Sequence, residues 1–282
     1  MPRICLPGVL RAAALLALFV AWPGWLGIAQ AQGGAAPPAS LERLLQAART
    51  GDLAGVAAAL ASAAPIDGGD PKWGETALMR AAAFGQHATV QALLAAGANP
   101  RVESAGRRTA LHAAAEGGDV AIIRDLLARG LAVDGAAEPG DTPLMVACAA
   151  RRPSAIEVLV AAGARHESMG SGCGSLADLI GRMLANGTST RDLPVVRAFI
   201  RARSGLEVPG RTEGTPIQVV VARCHHQPDA PSVARLLLDA GVDLEVKTGT
   251  GLNVAEELRR RVKGEPRCAA TMAEFERRGV RP

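Results

Sequence analysis

The residues best suited to chemistry in this 282-residue chain are its cysteines and the histidines beside them. Cys224, His225 and His226 are consecutive, and Cys268 follows 44 positions after Cys224. Thiolate and imidazole are the ligands that zinc and copper take, so these four residues admit a metal site. Adjacent histidines diverge on most backbones, however, and thiolate ligands survive poorly in an oxidising compartment. A Cys224–Cys268 disulfide and a pair of free thiols are the other readings, and the disulfide is the expected one. Cys148 and Cys173 form a weaker pair. Cys148 occupies a position where a small buried residue suffices, and a bridge to Cys173 would span about two helical turns.

Nothing else assembles into a catalytic set. The sequence has no Gly-rich phosphate loop, HExxH helix, GxSxG elbow or CxxCH haem attachment. Its carboxylates are scattered as on a solvated surface, so neither enzymatic activity nor a cofactor is expected. The net charge of +4 includes Arg3 and Arg11, and no long basic stretch remains once these are set aside. That balance argues against a nucleic-acid partner.

The elements that would position any site are set by a period. Thr76, Thr109 and Thr142 stand 33 residues apart, as do Leu78, Leu111 and Leu144, and Gly97, Gly130 and Gly163. Thr at the head of each block is suited to cap a first helix. A run of small residues such as Ala81–Ala82–Ala83 then gives a narrow helix that neighbours can approach closely. Val90, Leu93 and Leu94 provide the apolar stripe of a second helix, and Gly97 the left-handed residue that ends it. Aromatic content of 2% with no Tyr is ordinary for such thin Ala/Leu layers. The period, the T-[AP]-L heads and the segment TALHAAAEGGD resemble ankyrin repeats, and more loosely the secreted ankyrin proteins of bacteria. The resemblance implies an all-α solenoid, because one such unit cannot bury its own apolar face.

Seven helix pairs, caps included, are legible. SLERLLQAARTGDLAGVAAALASAA reads as an N-terminal cap, with Ser40 capping and Leu41, Leu44 and Leu45 buried. The blocks headed by Thr76, Thr109 and Thr142 follow. After Gly170 the register loosens: ANGTSTRDLP lengthens one turn by about ten residues and CHHQPDAP enlarges another. Thr215 and Asn253 head the last two units, and Gly279 ends the chain's final helix.

The first thirty residues are a separate matter. Arg3 and Arg11 precede or flank AAALLALFVAWPGWLGIA, and Ala29-Gln30-Ala31 offers a small-x-small cleavage site. Residues 1–31 are therefore expected to be a cleaved signal peptide, with an uncleaved membrane anchor as the alternative, 32–39 a flexible lead-in and 40–282 the repeat domain. The Ala- and Arg-rich composition suggests a bacterial chain, which would place the mature protein in the periplasm as a monomer without a membrane anchor.

The resemblance implies a scaffold that binds a partner protein through its finger loops and inner helices. At the matching positions stand Trp73 and Phe84 in the first full repeat, Arg108 and Glu116 in the next, and Asp141 and Arg151 in the third. The aromatics would anchor the partner and the charges would form a polar rim. The family's histidine in TALH, here His112, would make structural hydrogen bonds between repeats. A metal-binding or enzymatic protein using the C-terminal Cys/His turns is the alternative.

Overall fold

Threonine and its equivalents start the first helix of most units, as the period requires. The computed structural model describes residues 38–280 apart from 136, 138–140, 166–174, 187–188, 204, 208, 210–213, 226–227 and the side chains of 189–191. The expected signal peptide (1–31), most of the expected lead-in, Cys173 and His226 lie outside the described residues. Everything below concerns the compact unit Pro37–Pro282.

Fourteen α-helices are described and they fall into seven pairs: α1 (Ala39–Thr50) with α2 (Leu53–Ala61), α3 (Ala77–Ala83) with α4 (His87–Ala95), α5 (Ala110–Gly117) with α6 (Val120–Ala128), α7 (Pro143–Ala149) with α8 (Pro153–Ala161), α9 (Leu176–Asn186) with α10 (Ser189–Arg201), α11 (Pro216–Ala222) with α12 (Ala230–Asp239), and α13 (Val254–Gly264) with α14 (Ala269–Arg277). A single 3-10 turn, Pro266–Cys268, leads into α14. In the first four pairs, first helices stack on first helices and second on second. The fold is an all-α solenoid of ankyrin-type units that becomes irregular toward the C-terminus.

The caps explain the register. The Thr76 hydroxyl accepts from the Met79 amide at 3.3 Å, and Thr142 does the same for Met145 at 3.4 Å. Ser175 and Asp178 cap α9 reciprocally, as Asn253 and Glu256 cap α13. The expected cap at Ser40 is absent. Pro38 holds the N-cap position of α1 with an extended backbone, its carbonyl accepting from Leu41, and Ser40 falls inside the first turn.

First helices bury alanines beside a leucine or methionine, whereas second helices bury mainly larger side chains. Ala77, Ala81, Ala82, Ala110, Ala114, Ala115 and Ala147 are all closed to solvent, against Val90, Leu93, Ile122, Ile123, Leu126, Ile156 and Leu159 in the second row. A close approach of α3 and α5 occurs at Gly117, the last residue of α5. A Cβ built there lies 2.6 Å from the Ala83 carbonyl oxygen and 2.7 Å from that of Ala82. Backbone cannot yield as a flexible side chain can, so Gly117→Ala is expected to destabilise the protein by about 1–3 kcal/mol. Urea unfolding would measure it, and an unchanged midpoint would mean that α3 and α5 are free to spread.

Beyond α8 the layers change character. Val219, Val220 and Val221 replace alanines on α11, and Phe199 and Phe275 are fully buried on α10 and α14. The junction between the fourth and fifth pairs is carried by α8 against α10, while α7 and α9 pack little on each other. The next junction reverses this, running mainly through α9 and α11. The long turn expected from ANGTSTRDLP is instead largely helix: α9 extends to Asn186 and α10 starts at Ser189, with Pro194 inside it. A proline in the second turn forfeits one backbone bond, and the burial of Val195, Val196, Ala198 and Phe199 outweighs that loss.

Neighbouring units are also tied outside the helices. An acid in one closing loop accepts a backbone N–H from the next: Asp67 from Asn99 at 2.8 Å, Asp134 from Arg165 at 3.0 Å and Glu207 from Asp243 at 3.0 Å. No helix among the described residues is long and apolar enough to cross a membrane.

Candidate protein-binding face

The loops that precede the first helices are short antiparallel fingers. Gly69 and Thr76 pair as an isolated bridge, and Asp70 donates its N–H to the Glu75 carbonyl at 3.0 Å. Gly74 holds φ +69°, and a Cβ on Gly69 would lie 2.6 Å from the Gly74 carbonyl carbon, so both positions need glycine. The second finger bonds within itself from the Ser104 amide to the Arg108 carbonyl at 2.9 Å. It bonds to the first through the Ala105 amide and the Trp73 carbonyl at 2.8 Å.

Asp70 is the hub of the first finger. Its carboxylate is buried, accepts from the Lys72 and Trp73 amides, and pairs with Arg80 on α3 at 2.7 Å. Burial alone would raise its pKa, but the Trp73 amide, the Arg80 side chain and the Lys72 amide outweigh it and hold the carboxyl below its ordinary value. Trp73 is therefore displayed from a braced turn. It is 57% exposed, with the Lys72 ammonium 5.0 Å from the ring centroid.

Phe84 is the C-cap of α3 and is also 57% exposed, with the Arg49 guanidinium 5.7 Å from its ring centroid. Trp73 and Phe84 are thus not side by side, as the offsets from Thr76 invite one to picture them. They bracket α3, whose seven residues span about 10 Å. Leu53, 47% exposed at the start of α2, is a third large apolar side chain left in water. Nothing in the repeat pattern marked Leu53, because its counterparts on the other second helices are not exposed leucines.

The charged positions gather along the next two units. Arg108 and Glu116 form an ion pair running along α5. Both line a groove of about 450 Å³ together with Asp141, Met145, Val146, Ala149 and Ala150. Arg151 lies at the far end of α7 and is paired with Asp192 of α10 at 2.9 Å. It borders a second cleft with Cys148, Leu179 and Val195 rather than the first groove. Asp141 has a further role through its backbone: its carbonyl accepts from His112 Nε2 at 3.2 Å. His112 Nδ1 accepts from the Thr109 amide at 3.1 Å, which assigns the ring a neutral Nε2–H form. Burial pushes the His112 pKa down, in keeping with that neutral state.

Helix pairs at a 33-residue step, threonine-capped first helices, paired fingers and a histidine bonded to the next unit now stand together. Residues 78–169 match the family model described as Ankyrin repeats (3 copies). The chain carries ankyrin repeats. Neurogenic locus notch homolog protein 4 of Homo sapiens is 41% identical over 92 residues, which cover 32% of this chain and 5% of that protein. The likeness is therefore one of repeats, within a protein of which the matched segment is about a twentieth.

Two of the cysteines lie at the other end of the solenoid. Cys224, in the α11–α12 turn, and Cys268, in the turn before α14, are joined by a disulfide with Cα atoms 5.0 Å apart. Both are buried. Ligand atoms of Cys224, His225 and Cys268 lie within 4.8 Å of one another, but the two sulfurs are bonded to each other and offer no thiolate. The metal reading of these turns falls with that bond. Cys148 is buried and disulfide-bonded, so it is more than a small core side chain, and the expectation for Cys173 lies outside the described residues.

Proposed function

We propose that this chain is a non-enzymatic scaffold that binds a partner protein across the fingers and first helices of its second to fourth units. Ankyrin-repeat folds are typically interaction scaffolds and generally not catalytic, and the coarse reading follows from that. The finer reading rests on one observation: two large aromatics, Trp73 and Phe84, stand in water at the two ends of one rigid helix. Exposed aromatics held by a braced backbone are suited to anchor an interface at low entropic cost. Arg108, Glu116, Asp141 and Arg151 supply the polar rim beside them. The test compares affinity capture by the native chain with capture by Trp73→Ala and Phe84→Ala variants. A partner retained equally by all three would place the interface elsewhere.

The proposal includes the compartment. Residues 1–31 act as a cleaved export signal, 32–39 as the lead-in, and the mature repeat domain works in the bacterial periplasm, where disulfides persist. The intact mass of protein recovered from an exporting host should then correspond to a chain beginning at Gln32. Recovery with Met1 retained in a membrane fraction would overturn this part.

A further inference from the structure

We infer that the partner segment meeting Trp73 and Phe84, on the second unit and the adjoining edge of the first, is acidic and apolar, a Leu- or Phe-bearing stretch flanked by Asp or Glu. This rests on the protein-binding reading of Trp73 and Phe84 given above and adds the chemistry of what they meet. Each exposed ring carries a cation on its face: Lys72 on Trp73 and Arg49 on Phe84. Neither cation has a carboxylate partner among the described residues. The acids nearest in sequence to Lys72 are already committed. Asp70 and Glu75 both turn to Arg80, at 2.7 and 3.9 Å.

Around Arg49 the situation is similar. Asp52 accepts the Gly55 amide at 2.9 Å as the cap of α2, and Glu42 lies seven residues back on α1, about 10 Å along the helix. The turn bearing Arg49 is held against the turn bearing Phe84, since Gln86 donates to the Arg49 carbonyl at 3.4 Å. The cation and its ring are therefore fixed together across two units. Leu53, just past that turn, extends the apolar surface on the same unit.

The result is two apolar contact points, each with an unneutralised cation stacked on it. A partner that places a carboxylate on each cation and an apolar side chain against each ring satisfies both at once. A basic segment would meet the cations and be repelled. Two isolated cations do not make a track for a phosphate backbone, so a polyanion is the less fitting occupant.

The experiment uses the full chain and three fluorescein-labelled peptides of about 15 residues. Each carries a central Leu-Phe pair, flanked by glutamates, by lysines or by serines, and binding is read by anisotropy at low and high salt. The glutamate peptide is expected to bind tightest, to weaken with salt, and to lose about tenfold or more in affinity in an Arg49→Glu, Lys72→Glu variant. Both substitutions are at exposed positions, and circular dichroism of the variant checks its fold. Equal or tighter binding of the lysine or serine peptide overturns the inference, as does a failure of all three to bind. If Trp73→Ala still abolishes binding of the serine peptide, the charge argument alone has failed and the aromatic anchor stands. Displacement of the glutamate peptide by inorganic polyphosphate, with Trp73→Ala making no difference, would show simple polyanion binding and overturn it as well.

Discussion

Replacing Cys224 and Cys268 together with alanine is expected to lower the unfolding free energy by about 2–4 kcal/mol. The bridge closes a loop with a sequence separation of 44, and cross-linking a loop of that length removes conformational freedom chiefly from the unfolded chain. Both sulfurs are buried, so the substitution also leaves space that neighbours must fill. In a solenoid the loss is local. Stability is a sum of units and their interfaces, and among the described residues α13 and α14 pack on the preceding pair alone. The variant should therefore show an early transition from the C-terminal end, separate from the melting of the second to fourth units. Urea unfolding followed by circular dichroism measures this, with hydrogen exchange locating the early step. A variant with the midpoint and single transition of the oxidised protein would show that the bridge adds nothing to packing already sufficient.

Trp73→Ala is expected to weaken partner binding by about 2 kcal/mol or more, close to thirtyfold in Kd. Its effect on thermal stability should be small, because the ring is 57% exposed and the finger is braced by Asp70, Arg80 and backbone bonds that the substitution leaves in place. The Trp73 amide and carbonyl, which bond to Asp70 and to Ala105, persist in alanine. Titration calorimetry against the captured partner, beside a melting curve of the free variant, separates the two effects. Unchanged affinity would move the interface away from the first finger. A large loss of stability with affinity intact would mean that the indole belongs to the capping units and not to the interface.

The fold was legible because every element has a local chemical cause that recurs. Thr76, Thr109, Thr142, Thr215 and Asn253 each head a first helix, and the alanines that follow the first three permit close stacking. The pairing of Cys224 with Cys268 was legible for a related reason, since matched turns in adjacent units are brought together by stacking. What escaped was decided by contacts with no fixed spacing. Ser40 looks like a cap, but Pro38 sets the helix start two residues earlier. Pro194 looks like a stop, but the buried face of α10 carries the helix through it. In the binding face, the offsets from Thr76 located Trp73 and Phe84 yet did not reveal that a helix separates them. Nor did they show that Arg108 turns to Glu116 while Arg151 turns to Asp192. Long flexible side chains choose among several neighbours, and a linear pattern does not contain that choice. Lys72 and Arg49 were overlooked for the same reason.

The change of interface after α8 bears on how such a chain gains or loses length. Up to that point the joints share parts: buried alanines on the stacked first helices α3, α5 and α7, a finger-to-finger bond from Ala105 to Trp73, and at two of the three joints an acid reaching into the next closing loop. A block of one period removed or doubled there leaves matching surfaces on either side. Further on, each joint has its own fitting. Arg151 meets Asp192, Gln218 reaches the Val246 and Lys247 carbonyls, Arg261 reaches the Ala222 carbonyl, and Cys224 is bonded to Cys268. Among the described residues these fittings differ from one joint to the next. The early units thus form the more repetitive register, whereas each later unit is fitted to one particular neighbour.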